Sequence, residues 1–172
     1  MTFCRCYHLM KKGEVMSNKH NWKCKSLTEL TALELYEILK VREEVFIVEQ
    51  NVVYHDIDFK DKVAQHLFLE NEEGEVIAYA RLLPKGVSYA EASIGRVLTK
   101  KTHRGIGLGK ELMEEGMGFL QNDWQEKKIR ISGQLYLLKF YTSLGFEQVS
   151  GIYLEDGIDH VELLFTAKGE IS

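Results

Sequence analysis

The spacing of apolar residues changes period along this chain, and each change marks an element. Around the Asn71-Glu72-Glu73-Gly74 turn, apolar and polar side chains alternate over 66–70 and 76–83, which predicts the two strands of a hairpin. Runs at 94–99 and 129–133 predict further strands. Leu108, Leu112, Gly116, Phe119 and Leu120 recur at helical intervals and predict a helix from Gly107 to about Gln121. Near the start, 22–26 reads as a strand, and Thr31-Ala32-Leu33-Glu34 has the form of a capping box opening a helix through Arg42 or beyond. A third helix is predicted over 135–144, and strands over 147–150 and 160–166. Tyr36 and Trp124 read as core aromatics. Between 48 and 62 the periodicity gives way to a polar, aromatic loop containing Tyr54-His55-Asp56-Ile57-Asp58, expected to act as a lid over an acceptor. The order β-α-β-β-β-α-β-α-β-β predicts an α/β fold.

Composition narrows the picture. A chain of 172 residues that is 45% hydrophobic can bury one sizeable core, and with a single proline, Pro84, and no Ser/Gly-rich run it offers no linker, so one domain is expected over 22–172. The formal charge of −4 argues against nucleic-acid binding, which needs clustered cations. Cys4, Cys6 and Cys24 lack the spacing of a zinc site or a disulfide framework, so no metal is expected and a reducing cytoplasm fits. No apolar run reaches the ~20 residues of a membrane span, and no signal peptide is evident. Residues 1–21 are expected to be a disordered or non-native extension. Lys12-Gly13-Glu14 can be encoded as a purine-rich ribosome-binding sequence just before Met16, which predicts that a bacterial protein starts there. Intact mass of the natural protein showing residues 1–15 would contradict that expectation.

The chemistry concentrates in Arg104-Gly105-Ile106-Gly107-Leu108-Gly109-Lys110, between a predicted strand and a predicted helix. Closely spaced glycines let several backbone N–H groups converge on an anion, to which the helix adds its positive end. A nucleoside-triphosphate loop is excluded because Arg104 stands at the first glycine position and Glu111 replaces the magnesium-binding Ser or Thr. A dinucleotide fingerprint is excluded because the third glycine is one residue out of register.

Arg104-x-x-Gly107-x-Gly109 resembles the [QR]-x-x-G-x-[GA] signature of the Gcn5-related N-acetyltransferase (GNAT) superfamily, and Tyr141-Thr142-Ser143-Leu144-Gly145-Phe146 resembles its Y-x-x-x-G-F segment. The runs 42–50, 54–58 and 78–82, with Asp156-Gly157 before His160, resemble the ElaA-like branch, and the likeness covers roughly 22–165. It implies a mixed, mostly antiparallel central sheet flanked by helices, and acetyl transfer from acetyl-CoA to a primary amine of a small molecule or peptide in a ternary complex. A non-catalytic acyl-CoA-binding module is the alternative, and a homodimer is allowed by analogy. By the resemblance, the backbone of Val97 and Thr99 pairs with the pantetheine arm. Arg104 belongs to the same signature, the N–H groups of Gly105, Ile106, Gly107, Leu108, Gly109 and Lys110 grip the pyrophosphate, and Gln134 stands where many relatives place an Asn.

Attack on a thioester requires an oxyanion donor, for which the N–H of Leu98 is the expectation, and an acid for the departing thiolate, for which Tyr141 is the expectation. An amine also needs a base, and Glu49, Asp56, Asp58, His66 and His160 are all candidates. Arg81 and Arg96, inside strands, are open to two roles: pairing with a buried carboxylate or meeting a carboxylate on the substrate. Acidic loop residues would favour a cationic acceptor, with solvated loop charge the blander reading.

Overall fold

The computed structural model describes residues 20–167; the expectations for 1–19, including the alternative start at Met16, lie outside them. One mixed sheet runs in the order β1-β2-β3-β4-β5-β8-β6, with β7 paired to β8. Its strands are β1 (Lys23–Ser26), β2 (Gln65–Glu70), β3 (Val76–Leu83), β4 (Ala92–Thr99), β5 (Lys128–Gln134), β6 (Glu147–Gln148), β7 (Tyr153–Glu155) and β8 (Ile158–Thr166). Helices α1 (Ala32–Arg42), α2 (Leu108–Asn122) and α3 (Leu138–Ser143) flank it. Every pairing is antiparallel except β4 with β5.

Helix α1 begins where the capping box places it: Thr31 Oγ1 accepts from Glu34 N–H, and Glu34 returns a carboxylate oxygen to Thr31 N–H. Ile38, Val41 and, just beyond, Val45 pack with Phe68, Tyr79 and Leu98 on one face of the sheet. Amphipathic α2 covers the other face with Leu108, Leu112, Met113, Met117 and Leu120, against Ala78, Ala80 and Leu82 of β3. Gly116 allows this close approach, since a Cβ there would stand 3.2 Å from Leu82 Cδ2 and 3.3 Å from Ile94 Cδ1.

The structure refines the expected elements at four places. Helix α1 reaches Arg42 as expected and the chain stays helical beyond it, with Glu43–Glu49 wound as a π-helix, a form that recurs at functional sites. Tyr36 is 63% exposed rather than in the core, because α1 turns Ile38 and Val41 inward instead. Trp124 packs edge-on against Phe119, but from a half-buried position beyond α2. The strand β7 went unread, although Asp156-Gly157, both at positive φ (50° and 80°), forms the tight turn joining it to β8.

The β4–β5 pairing positions the site. These strands match only at Ala92↔Ile129 and Ser93↔Arg130, and beyond that they splay. On its other side β4 holds to β3 with a bulge: Tyr79 faces Leu98, Arg81 faces Gly95, and Arg96, at φ +53°, is part of the extra length.

Candidate functional site

The splay opens a cavity of about 550 Å³ between β4 and the β5–β8 side of the sheet. Past Thr99 and Arg104, which line the cavity, the chain enters the glycine loop, where Gly105 sits at φ +81° and Gly107 caps α2 at φ +89° without a side-chain bond. Neither glycine is crowded, so glycine is required there by conformation rather than by space. Among the described residues, the N–H groups of 105 through 109 find no acceptor in the chain, the first internal bond being Lys110 N–H to the Gly107 carbonyl. Five consecutive unpaired donors at the start of a 15-residue helix fit an anion of pyrophosphate size. Lys110 lies near, 3.6 Å from Glu114.

Alternation along β4 decides which backbone groups face the opening. Lys100 N–H donates to the Ile77 carbonyl, so two residues back Leu98 makes the equivalent pair with Tyr79. The Leu98 N–H therefore belongs to the ladder and is turned away from the cleft, which corrects the expectation that it is the oxyanion donor. Val97 and Thr99 turn their backbone groups the other way. Thr99 O accepts from Arg104 Nε at 2.9 Å.

Arg104 is committed elsewhere as well. Its guanidinium pairs with Glu49 at the end of the π-helix, with Nη2 to Oε2 at 2.9 Å, and that pairing holds the Glu49 carboxyl below its ordinary pKa. Next to it, Gln50 accepts from Gln134 Nε2 across the cleft at 3.3 Å. The segment Glu49-Gln50 thus touches both walls, a role the sequence did not reveal for Gln50.

Tyr141, on α3, lines the cavity with its ring largely buried. Burial, with a lesser effect of Tyr136, pushes its hydroxyl pKa up to about 12, so it remains protonated. The ring lies over Gly133, where an added Cβ would come within 2.8 Å of Tyr141 Cε2.

The remaining candidates divide sharply. Under the α1 face lies an ionic lattice centred on Arg42, which is fully buried. Arg42 donates to Asp56 Oδ2 at 2.8 Å and Asp61 Oδ1 at 2.9 Å, Arg81 donates to Asp58 at 2.7 Å and Asp61 at 3.0 Å, and Arg96 Nε donates to Asp56 Oδ1 at 2.6 Å. For Asp58 and Asp61, burial works against the charge, but the arginines outweigh it and both pKa values fall. Asp56 and Asp58 are thereby held as ion-pair partners.

His66 sits in the same lattice. Its Nε2 meets the Asp61 carbonyl at 3.1 Å and, since a carbonyl only accepts, Nε2 must carry the proton. The lone pair of Nδ1 then accepts from the Tyr79 hydroxyl at 2.8 Å. Burial lowers the His66 pKa, and no lone pair is left for a substrate. His160 is the converse case. Its Nδ1 meets the Ile158 carbonyl at 2.8 Å, so Nδ1 is the donor and the neutral ring keeps a bare Nε2. The ring stacks on Tyr153 and lines the cavity. Beside it, Ser132 Oγ contacts Tyr153 Oη at 2.6 Å and donates to Glu155 Oε2 at 2.8 Å. Sequence reading missed this group; the Asp-Gly turn signal would have placed Tyr153 opposite His160.

Among the described residues no cluster of three or more His, Cys, Asp or Glu is arranged to hold a metal, and no helix is long and apolar enough to cross a membrane.

Comparison with known proteins agrees with this geometry. The family description "Acetyltransferase (GNAT) domain" matches residues 29–166. A UPF0039 protein of Synechocystis is 35% identical over 145 residues, spanning 84% of this chain and 94% of that protein. Protein ElaA of Escherichia coli is 35% identical over 141 residues, spanning 81% of this chain and 92% of ElaA. The crystal structure of E. coli ElaA superimposes with a TM-score of 0.78 over 84% of this chain and 99% of that one. An acyl-CoA N-acyltransferase from Pseudomonas aeruginosa, 36% identical, superimposes at 0.81 over 86% and 99%. With a splayed β4–β5 pair, an amide row opening α2 and these matches across most of its length, the chain belongs to the GNAT acetyltransferase family, in its ElaA-like branch.

Proposed function

We propose that the chain transfers an acetyl group from acetyl-CoA to a primary amine by direct attack within a ternary complex. Family and fold support acyl transfer in general. The observation that carries the finer reading is the row of five unpaired N–H groups opening α2 beside the splayed edge of β4, a cradle for a pyrophosphate next to an edge for an extended arm. Gly105 through Gly109 hold the pyrophosphate, and Val97 and Thr99 present backbone to the pantetheine.

In the reaction the amine nitrogen bonds to the thioester carbon as the carbonyl π pair moves to oxygen, where the Val97 N–H meets the developing charge. The amine proton passes to His160 Nε2, since His160 lines the cavity and, among the described residues, is the base candidate that keeps an acceptor atom without a partner. The C–S bond then breaks, and the leaving sulfur takes its proton from Tyr141. A free thiol has a pKa of about 8.5, below the Tyr141 hydroxyl at about 12, so the phenol first steadies the departing sulfur by a hydrogen bond, and proton transfer is completed as the tyrosinate regains a proton from solvent.

Tyr141→Phe tests the assignment. With acetyl-CoA and an accepted amine, the turnover number is expected to fall about 100-fold, at the low end of general acid–base effects, while acetyl-CoA affinity stays constant. Undiminished turnover would remove Tyr141 from the chemistry. An acyl-CoA-binding module would bind the thioester equally in both forms and turn over neither.

A further inference from the structure

The three arginines of the lattice face three aspartates, Asp56, Asp58 and Asp61, so its charges balance internally. Two cationic groups at its edge are left over, and both line the cavity. Arg96 is fixed through Nε by Asp56 and stands 5.5 Å from the Tyr54 ring centroid, with Nη2 reaching the Asp56 carbonyl only at 3.5 Å. Its Nη1 has no acceptor among the described residues and is not sealed from solvent. Lys60 is half-buried, and among the described residues no carboxylate lies within ion-pair distance of its Nζ. The opposite wall has the reverse sign: Glu155 and Asp156 at the β7–β8 turn, beside His160.

Resting on the acetyl-transfer reading, we infer that the acceptor is a small amine that also carries a carboxylate, seated with the carboxylate between Arg96 and Lys60 and the amino group toward His160 and the Glu155–Asp156 turn.

Charge complementarity selects this class. An amine reaches the enzyme mostly as an ammonium ion, which the acidic turn attracts; it gives one proton to solvent to become the attacking amine, and His160 takes the second as the amide forms. A diamine or a lysine-rich peptide would set its second cation against Arg96 and Lys60, whereas a carboxylate there gains a charge-assisted hydrogen bond from Nη1 and an ion pair with Nζ. Arg96 is also preorganised. A non-glycine residue at φ +53° on a strand bulge is a costly conformation, kept here by Asp56 and Tyr54, and it aims a rigid guanidinium into the cavity before any ligand arrives. This resolves the two roles left open for the strand arginines: Arg81 binds only aspartates, while Arg96 binds an aspartate through one edge and keeps Nη1 for a ligand.

The test uses the full chain with acetyl-CoA and matched acceptors: each amino acid against its carboxamide, and aminoalkyl carboxylates against aminoalkyl phosphonates and diamines. The acid should exceed its amide in kcat/KM by roughly 10- to 100-fold, the range of one or two charge-assisted contacts. Lys60→Gln should narrow that acid-to-amide ratio by about 10-fold and Arg96→Gln should abolish it, with acetyl-CoA titration of each variant confirming an intact fold. An acid-to-amide ratio near one, a preference for amides or diamines, or a phosphonate preferred over its carboxylate overturns the inference. So does acetyl-CoA binding with no member of any pair acetylated, which leaves the cofactor reading standing. Failure of wild type to bind acetyl-CoA defeats the transfer reading and this inference with it.

Discussion

The ionic lattice beneath α1 and the cleft between β4 and β5 are built from the same kinds of groups and use them in opposite ways. In the lattice Arg42, Arg81, the aspartates and His66 pair with one another, leaving Arg81 Nε as a buried N–H without an acceptor among the described residues. Along the cleft and the loop that follows it, five backbone donors, Arg96 Nη1, Lys60 Nζ and the bare nitrogen of His160 have no partner among the described residues. Buried polar groups are costly unless paired, so closed networks shape and hold a fold while fixed, unpaired groups at a cavity edge await a ligand. Residue type alone does not separate the two: buried His66 has both ring nitrogens bonded, whereas His160, at the cavity wall, keeps one nitrogen free among the described residues.

The sharpest break of this comparison is Arg42→Ala. Removing it leaves Asp56 and Asp61 buried with reduced compensation, and stability in urea should fall by about 3–5 kcal/mol. Lys60→Gln, at the cleft edge, should change stability by less than about 0.5 kcal/mol, so that the two cations separate by an order of magnitude in the same assay. Gly133→Ala bridges the two behaviours. Its Cβ would stand 2.8 Å from Tyr141 Cε2 and 3.1 Å from Leu163 Cδ1, so the ring must move. A cost of about 1–3 kcal/mol is expected, together with lower turnover at unchanged acetyl-CoA affinity. Thr31→Ala removes one half of the capping box and should cost about 1 kcal/mol without touching the cleft.

Acid should remove a stabilising contribution at the start of α1. Burial disfavours the Glu34 carboxylate, but Lys25, the Thr31 N–H and Lys23 outweigh it and hold its pKa at about 2, below the ordinary 4.5. A depressed folded-state value stabilises the fold above pH 4.5, and that contribution is lost as pH falls from there toward 2. In Glu34→Gln the decline over this window should be shallower, as a series of thermal melts would show.

Much of this molecule was legible in its sequence where the signal is local. The capping box at Thr31, the Asn71 to Gly74 turn, the amphipathic stripe of α2 and the glycine loop each depend on residues within one or two turns of chain. What escaped depends on register and on distant partners. The bulge at Arg96 fixes the direction of the Leu98 and Val97 amides, and no pattern in 92–99 marks it. The choice among five base candidates rested on long-range bonds: Glu49 to Arg104, Asp56 to Arg42 and Arg96, Asp58 to Arg81, and His66 to Tyr79. The strand β7 is different, because its turn was written in Asp156-Gly157 and only its shortness, three residues, hid it.

On the proposed function, the unpaired amides opening α2 bind the pyrophosphate of an acyl-CoA. Isothermal titration of acetyl-CoA into wild type and Gly107→Trp is the most direct test, because a tryptophan cannot adopt φ +89° without strain and adds bulk in the middle of the amide row. The account predicts micromolar binding to wild type and none to the variant, with both proteins melting as folded domains. Equal binding by a folded variant, or none by wild type, would contradict it.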